Sequence, residues 1–170
     1  MIYLNDHIDN LSLPEALQQL SQQRREVVEN IKHETGKRLS VAAYLLLCEG
    51  LRAEYGINEP PVFGYEDNGK PFLLYHRDIH FSLSHCRMAA ICAIDTKPVG
   101  IDIERIRPYK DSLARYTMNQ QELDQIAGAN NPATEFIRLW TMKESQLKLT
   151  GDGIRGNMQH VLRTDRYRFN

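Results

Sequence analysis

Cysteine is scarce in this chain: Cys48, Cys86 and Cys92 are the only three in 170 residues, an odd number without C-x-x-C spacing. That excludes a disulfide framework and a thiolate zinc site, and it fits a reducing compartment, so a cytoplasmic location is expected. Long apolar runs are missing as well. No stretch approaches the ~20 residues that cross a bilayer, and the opening Met1-Ile-Tyr-Leu-Asn-Asp lacks the basic-then-apolar order of an export signal, so no membrane partner is expected. Nor is there an excess of one charge sign. A net charge of −1 and a pI near 6.6 provide no overall field toward nucleic acid, which leaves only a local site for any anion. Low-complexity tracts and simple repeats are absent too.

What remains is an ordinary globular composition, 42% hydrophobic and 25% charged, enough for one substantial core or two small ones in a monomer. Met1 to Leu4 reads as a short strand. Ser12-Leu-Pro-Glu15 has the S-x-x-E capping pattern with proline in the first turn, so a helix is predicted through Leu13, Leu17 and Leu20. Val27, Val28 and Ile31 suggest a second short helix before the polar stretch His33 to Lys37. Leu39, Ala42, Ala43, Leu46, Leu47 and Gly50 then form one helical stripe, with Gly56 as its stop.

From Pro60 the pattern changes. Asp67-Asn-Gly-Lys-Pro71 is turn chemistry, and three strands are predicted at His80–His85, Met88–Ile94 and Val99–Ile103, two of them as a hairpin. Helical pattern returns after Ser112, after Asn119 with Glu122 three positions on, and from Pro132 to Leu149; the final residues suggest one more strand. The order strand, helices, strands, helices repeats loosely. It points to an α+β fold of two similar halves, residues 1–75 and 76–170.

Asp102 and Glu104 stand two residues apart in Gly100-Ile-Asp-Ile-Glu104, so on a strand both carboxylates leave one face. Such a pair is either a solvated face or a hard-cation site of the kind magnesium takes, with one or two carboxylates and substrate phosphates. Glu144 and Lys148 lie at i and i+4, while Phe136, Trp140, Lys143 and Leu147 follow a different stripe. The two charges are either an ordinary helix ion pair or a carboxylate beside a phosphate-binding ammonium. Ser84 and His85 offer a hydroxyl and an imidazole at a strand end, suited to phosphate oxygens. His80 with His85 lacks the third ligand of a zinc site. Lys70, in Gly69-Lys-Pro71, is by itself common turn chemistry.

Four segments, Gly69-Lys-Pro71, His80-Phe-Ser-Leu-Ser-His85, Val99-Gly-Ile-Asp-Ile-Glu104 and Leu139-Trp-Thr-Met-Lys-Glu-Ser-Gln-Leu-Lys148, resemble in order and spacing the signature segments of the 4′-phosphopantetheinyl transferases. The similarity is to the larger single-chain, pseudo-dimeric (surfactin-synthetase-activating) members. Arg24-Arg-Glu26 and the helix from Arg38 resemble their N-terminal half. The resemblance implies two α/β halves about a pseudo-two-fold and transfer of 4′-phosphopantetheine from coenzyme A to a serine of an apo-acyl or peptidyl carrier protein. It also implies that Asp102, Glu104 and Glu144 hold Mg²⁺, that Glu144 deprotonates the acceptor, and that Lys148 lies near the reacting pyrophosphate. By the same resemblance Ser84 and His85 hold phosphates, His85 the 3′-phosphate, while Lys70 and Arg24 contact the adenylate end of coenzyme A and Arg38 corresponds to a further coenzyme A contact. The chain departs from the family pattern at Val27, where a basic residue is common, and it ends 22 residues after Lys148, where larger members continue for several strands. A non-catalytic coenzyme A or carrier-binding homologue is the alternative, and a helical interaction protein a more distant one. Arg105, Arg107, Lys110 and Arg115, against Asp111, form a basic run suited to an acidic carrier or simply to solvent.

Overall fold

The computed structural model describes residues 1–153 and 158–162. It begins with β1 (Ile2–Asn5), a 3₁₀ turn (Ile8–Asn10), α1 (Leu13–Gln18), α2 (Gln22–Glu29) and α3 (Glu34–Tyr55). There follow β2 (Phe63–Tyr65), β3 (Pro71–Leu73), β4 (His80–Cys86) and β5 (Ala89–Asp95). The chain then turns helical again in α4 (Asp111–Thr117), α5 (Gln120–Gly128) and α6 (Pro132–Thr150), with a 3₁₀ turn at Met158–His160.

The predicted stripe of α3 is its buried face: Leu39, Ala42, Ala43, Leu46, Leu47 and Gly50 all lie inside. The helix stops at Gly56, which takes the left-handed conformation at φ 69° that most side chains resist. It starts earlier than expected, at Glu34 within the polar stretch. α1 differs in its cap. Ser12 holds the N-cap position but makes no side-chain capping bond, and the proline in the first turn marks the start instead. α5 has its full capping box, with Asn119 and Glu122 each bonding the other's backbone.

The main sheet is antiparallel in the order β1-β5-β4, and β2 and β3 form a separate pair across the Asp67–Lys70 turn. The β4–β5 hairpin pairs His80 with Asp95 through Cys86 with Ala89. Alternation puts Phe81, Cys92 and Ile94 on the α3 face, leaving Ser82 and Ser84 on the other. The third predicted strand does not form. Ile101 and Ile103 instead donate their amides to the side-chain oxygens of Ser82 (3.1 Å) and Ser84 (3.4 Å), so hydroxyls intercept the bonds that a backbone ladder would have used.

Two apolar clusters result. One gathers residues from Ile8 to Ile94 around α3, and the other gathers Ala114, Met118, Ile126, Phe136, Ile137 and Leu139 around α6. The expected boundary at 75/76 falls inside the first, because β1 pairs with β5. The strand expected among the final residues lies outside the described residues. No helix among the described residues is long and apolar enough to cross a membrane.

Candidate functional site

The linker after β5 passes between β4 and α6, and Gly100 makes the passage possible. A Cβ there would collide with the Ser145 carbonyl oxygen and lie 2.6 Å from the Leu149 amide nitrogen. With the two serine hydroxyls on its other side, the linker presents Asp102 inward, its side chain only 7% exposed.

Asp102 Oδ1 accepts from Lys148 Nζ at 2.6 Å and from Ser84 Oγ at 2.6 Å. Lys148 therefore pairs across the linker rather than with Glu144 one turn before it. Asp102 Oδ2 and Glu144 Oε1 are buried without a partner. Burial, then the Asp102 charge, raise the Glu144 pKa above the usual carboxylate range; Lys148 opposes the shift and Glu104 adds to it. The carboxyl at 144 thus has a heightened affinity for a proton or a cation.

His85 sits at the exposed end of β4, yet partial desolvation by the surrounding protein, followed by the charges of Lys148 and Arg24, hold its pKa below the ordinary histidine value. Arg24 reaches this neighbourhood from α2. Its guanidinium donates to Ser40 Oγ at 2.7 Å and to the Ser40 carbonyl at 3.1 Å, and lies 5.6 Å from the Tyr44 ring centroid and 6.0 Å from that of Phe63. Its Nε is buried and unpartnered, and burial lowers its pKa. Lys70 donates to the Leu149 carbonyl at 2.6 Å, binding the β2–β3 turn to the last turn of α6, and burial lowers its pKa also. A cavity of about 310 Å³ opens here, lined among others by Lys70, Ser82, Glu144, Lys148 and Gly151.

Of the residues singled out in the sequence, Ser84, Asp102 and Lys148 are joined directly; Glu144 and His85 are in electrostatic reach of Asp102 and Lys148, and Glu104 and Arg24 act in turn on Glu144 and His85. Lys70 shares the cavity wall. Arg38 is placed differently: it bonds Glu34 and the Leu11 carbonyl, and none of its described bonds joins it to the cluster. Among the described residues, no three His, Cys, Asp or Glu side chains stand close enough together to hold a metal ion, so Asp102, Glu104 and Glu144 do not form a closed trio. Their donor chemistry nevertheless suits a hard cation, since two buried carboxylate oxygens await a partner. Sequence reasoning missed Ser82, Ser40 and the Tyr44–Phe63 pair. The alternation of Ser82 with Ser84 was the available signal for the first.

Fold and site define an α+β protein in which Glu144, Lys70 and Lys148 line one cavity, Asp102 is bonded to Lys148, and the His85 imidazole lies in electrostatic reach of that pair. A sequence model of the 4′-phosphopantetheinyl transferase superfamily matches residues 98–166, the stretch that carries Asp102, Glu104, Glu144 and Lys148. A 4′-phosphopantetheinyl transferase of Bacillus subtilis is 30% identical over 139 residues, covering 79% of this chain and 62% of the relative. The transferase psf-1 of Bacillus pumilus is 32% identical over 138 residues (79% and 59%), and HetI of a Nostoc species is 39% identical over 100 (54% and 42%). The chain spans about three fifths of the length of the first of these relatives. The stretch that carries the candidate site is thus similar to the 4′-phosphopantetheinyl transferase superfamily.

Proposed function

We propose that this protein transfers 4′-phosphopantetheine from coenzyme A to a serine of an apo-acyl or peptidyl carrier protein, releasing 3′,5′-ADP. The observation that carries the reading is the convergence of Asp102, Lys148 and Glu144 beside one cavity, with two buried carboxylate oxygens unpartnered.

The acceptor hydroxyl attacks the β-phosphorus of coenzyme A. A new P–O bond forms to the serine, the P–O bond to 3′,5′-ADP breaks, and the serine proton passes to Glu144, whose raised pKa suits it to accept one. Lys148 stabilises negative charge on the phosphoryl oxygens and the leaving group. Ser84 and Lys148 hold Asp102 in place, while His85 meets the 3′-phosphate of coenzyme A and Lys70 and Arg24 meet its adenylate end. Asp102 and Glu144, each with a buried unpartnered oxygen, would hold Mg²⁺ together with Glu104. Once bound, the cation supplies neutralising charge to the pyrophosphate.

The reading includes two similar halves about a pseudo-two-fold. The presence of two separate apolar clusters, one around α3 and one around α6, is in keeping with two units, although the first runs past residue 75. It also includes action as a cytoplasmic monomer. The exposed Arg105, Arg107, Lys110 and Arg115 form the rim that meets the acidic carrier.

The test is incubation with coenzyme A, Mg²⁺ and apo-carrier proteins, followed by mass spectrometry. The expected result is one added phosphopantetheine on the carrier serine, absent with Asp102→Ala. Binding of coenzyme A without modification of any carrier would favour the non-catalytic alternative.

A further inference from the structure

Lys143 lies in the same helical run as Glu144 and Lys148, and the transfer chemistry makes no use of it. Its side chain is 0% exposed and that of its partner Glu122 is 8% exposed. The ammonium stands 2.9 Å from Glu122 Oε2 and donates to the Met158 carbonyl at 2.7 Å. Glu122 Oε2 also accepts from the Asn119 amide at 2.8 Å, and Asn119 Nδ2 donates to the Gln159 carbonyl at 3.4 Å. One buried cation thus joins the middle of α6 to the N-terminus of α5 and to the turn at Met158–His160.

Desolvating two charges costs so much that apolar side chains of the same volume would serve stability as well or better. What an ion pair adds is direction. The rest of the inner face of α6 consists mostly of Phe136, Ile137, Leu139 and Leu147, whose contacts tolerate rotation about the helix axis. The Lys143–Glu122 bond does not. Adjacent helical residues are separated by roughly 100° of arc, so any roll that released Lys143 would also carry Glu144 and Lys148 away from Asp102.

We propose that the buried Lys143–Glu122 pair is a positioning device: it fixes the roll of α6 and so holds Glu144 and Lys148 against Asp102. The role given to Glu144 rests on the transferase reading. The fixed roll itself does not. The chain's single tryptophan, Trp140, lies on α6 with its ring 6.1 Å from that of Phe136, and it reports the roll without substrate or metal.

The experiment compares the parent with Lys143→Met and with Lys143→Met combined with Glu122→Gln, which keeps an acceptor for the Asn119 amide. The single variant leaves a buried carboxylate unpaired and lowers Tm; the double variant regains much of the loss. At a temperature where circular dichroism shows both folded, the double variant should have an altered near-ultraviolet Trp140 signal. Its Mn²⁺ affinity in the presence of coenzyme A, titrated by electron paramagnetic resonance, should be weaker by about tenfold. Its kcat should fall while KM for coenzyme A holds. A folded double variant with the parental Trp140 signal and Mn²⁺ affinity overturns the proposal. A parent that transfers nothing removes the transferase reading instead, and the Trp140 signal still decides the roll.

Discussion

The packing around α3 and the packing around α6 differ in what they bury. Around α3, Leu47, Leu51, Val41 and Ile94 are enclosed almost completely, and the buried polar side chains among neighbouring elements are three serines. Around α6, the buried polar set is Thr117, Asn119, Glu122, Lys143 and Gln146, including a full ion pair. Apolar contact is non-directional, so the first region gains stability from volume filled. Charged and amide groups must meet at set angles, so the second gains orientation. The candidate site draws Glu144 and Lys148 from the second region, and through Asp102 it is anchored on Ser84 of β4 in the first.

The largest expected effect should break the first region alone. Leu47→Ala, at a fully enclosed position on α3, should cost about 2–5 kcal/mol in chemical denaturation. Below its lowered Tm, the variant should keep the stabilisation that coenzyme A gives the parent. Loss of that response in the folded variant would show that the two regions are not separable in this way.

A smaller change in stability with a larger change in the site is expected from Gly100→Ala. The new methyl group meets the α6 backbone, which cannot yield as a side-chain tip would. Overpacking of this kind costs about 1–3 kcal/mol. The displaced linker should also abolish the rise in Tm on adding coenzyme A with Mg²⁺. A variant that binds coenzyme A normally would remove the wedge from the account of Asp102.

Much of this arrangement is legible in the sequence, unevenly so. The spacing from Leu39 to Gly50 and the glycine at 56 specify α3, and the Asn119–Glu122 box specifies the start of α5, because each is a local rule satisfied within a few residues. The i, i+4 relation puts Glu144 and Lys148 on one face, but it cannot say that Lys148 will choose an aspartate 46 positions earlier. Alternation at Val99–Ile103 reads as a strand. Nothing local shows that Ser82 and Ser84 will take its amides. Lys143 falls on the same stripe as Phe136, Trp140 and Leu147, so its burial is hinted at, whereas its partner Glu122 on another helix is not.

The smallest expected effect concerns pH and sharpens the contrast between orientation and stability. A carboxyl whose folded pKa is raised favours its protonated form in the fold, so its penalty appears as pH rises from the unfolded value through the folded one. Without metal, Glu144→Gln should therefore match the parent in acid and exceed it slightly in Tm toward neutral pH, by a few degrees at most because the group is only partly buried and solvent screens it. It should lose transfer. Parallel Tm curves across that range would mean that Asp102 and Glu104 exert no strain on Glu144.

The ammonium of Lys70 on the Leu149 carbonyl closes a contact 79 positions apart, and Lys148 on Asp102 closes one of 46. Neither bond can form before α6 has been made, and α6 follows every strand of the main sheet in chain order. During synthesis the α3 layer can be complete while residues past Asp111 are still emerging, and the pocket does not exist until α6 swings in and the lysine locks its end. The candidate site is then assembled after the sheet. A newly made chain passes through a stage in which the strands of its main sheet are all present and the cavity wall supplied by α6 is not.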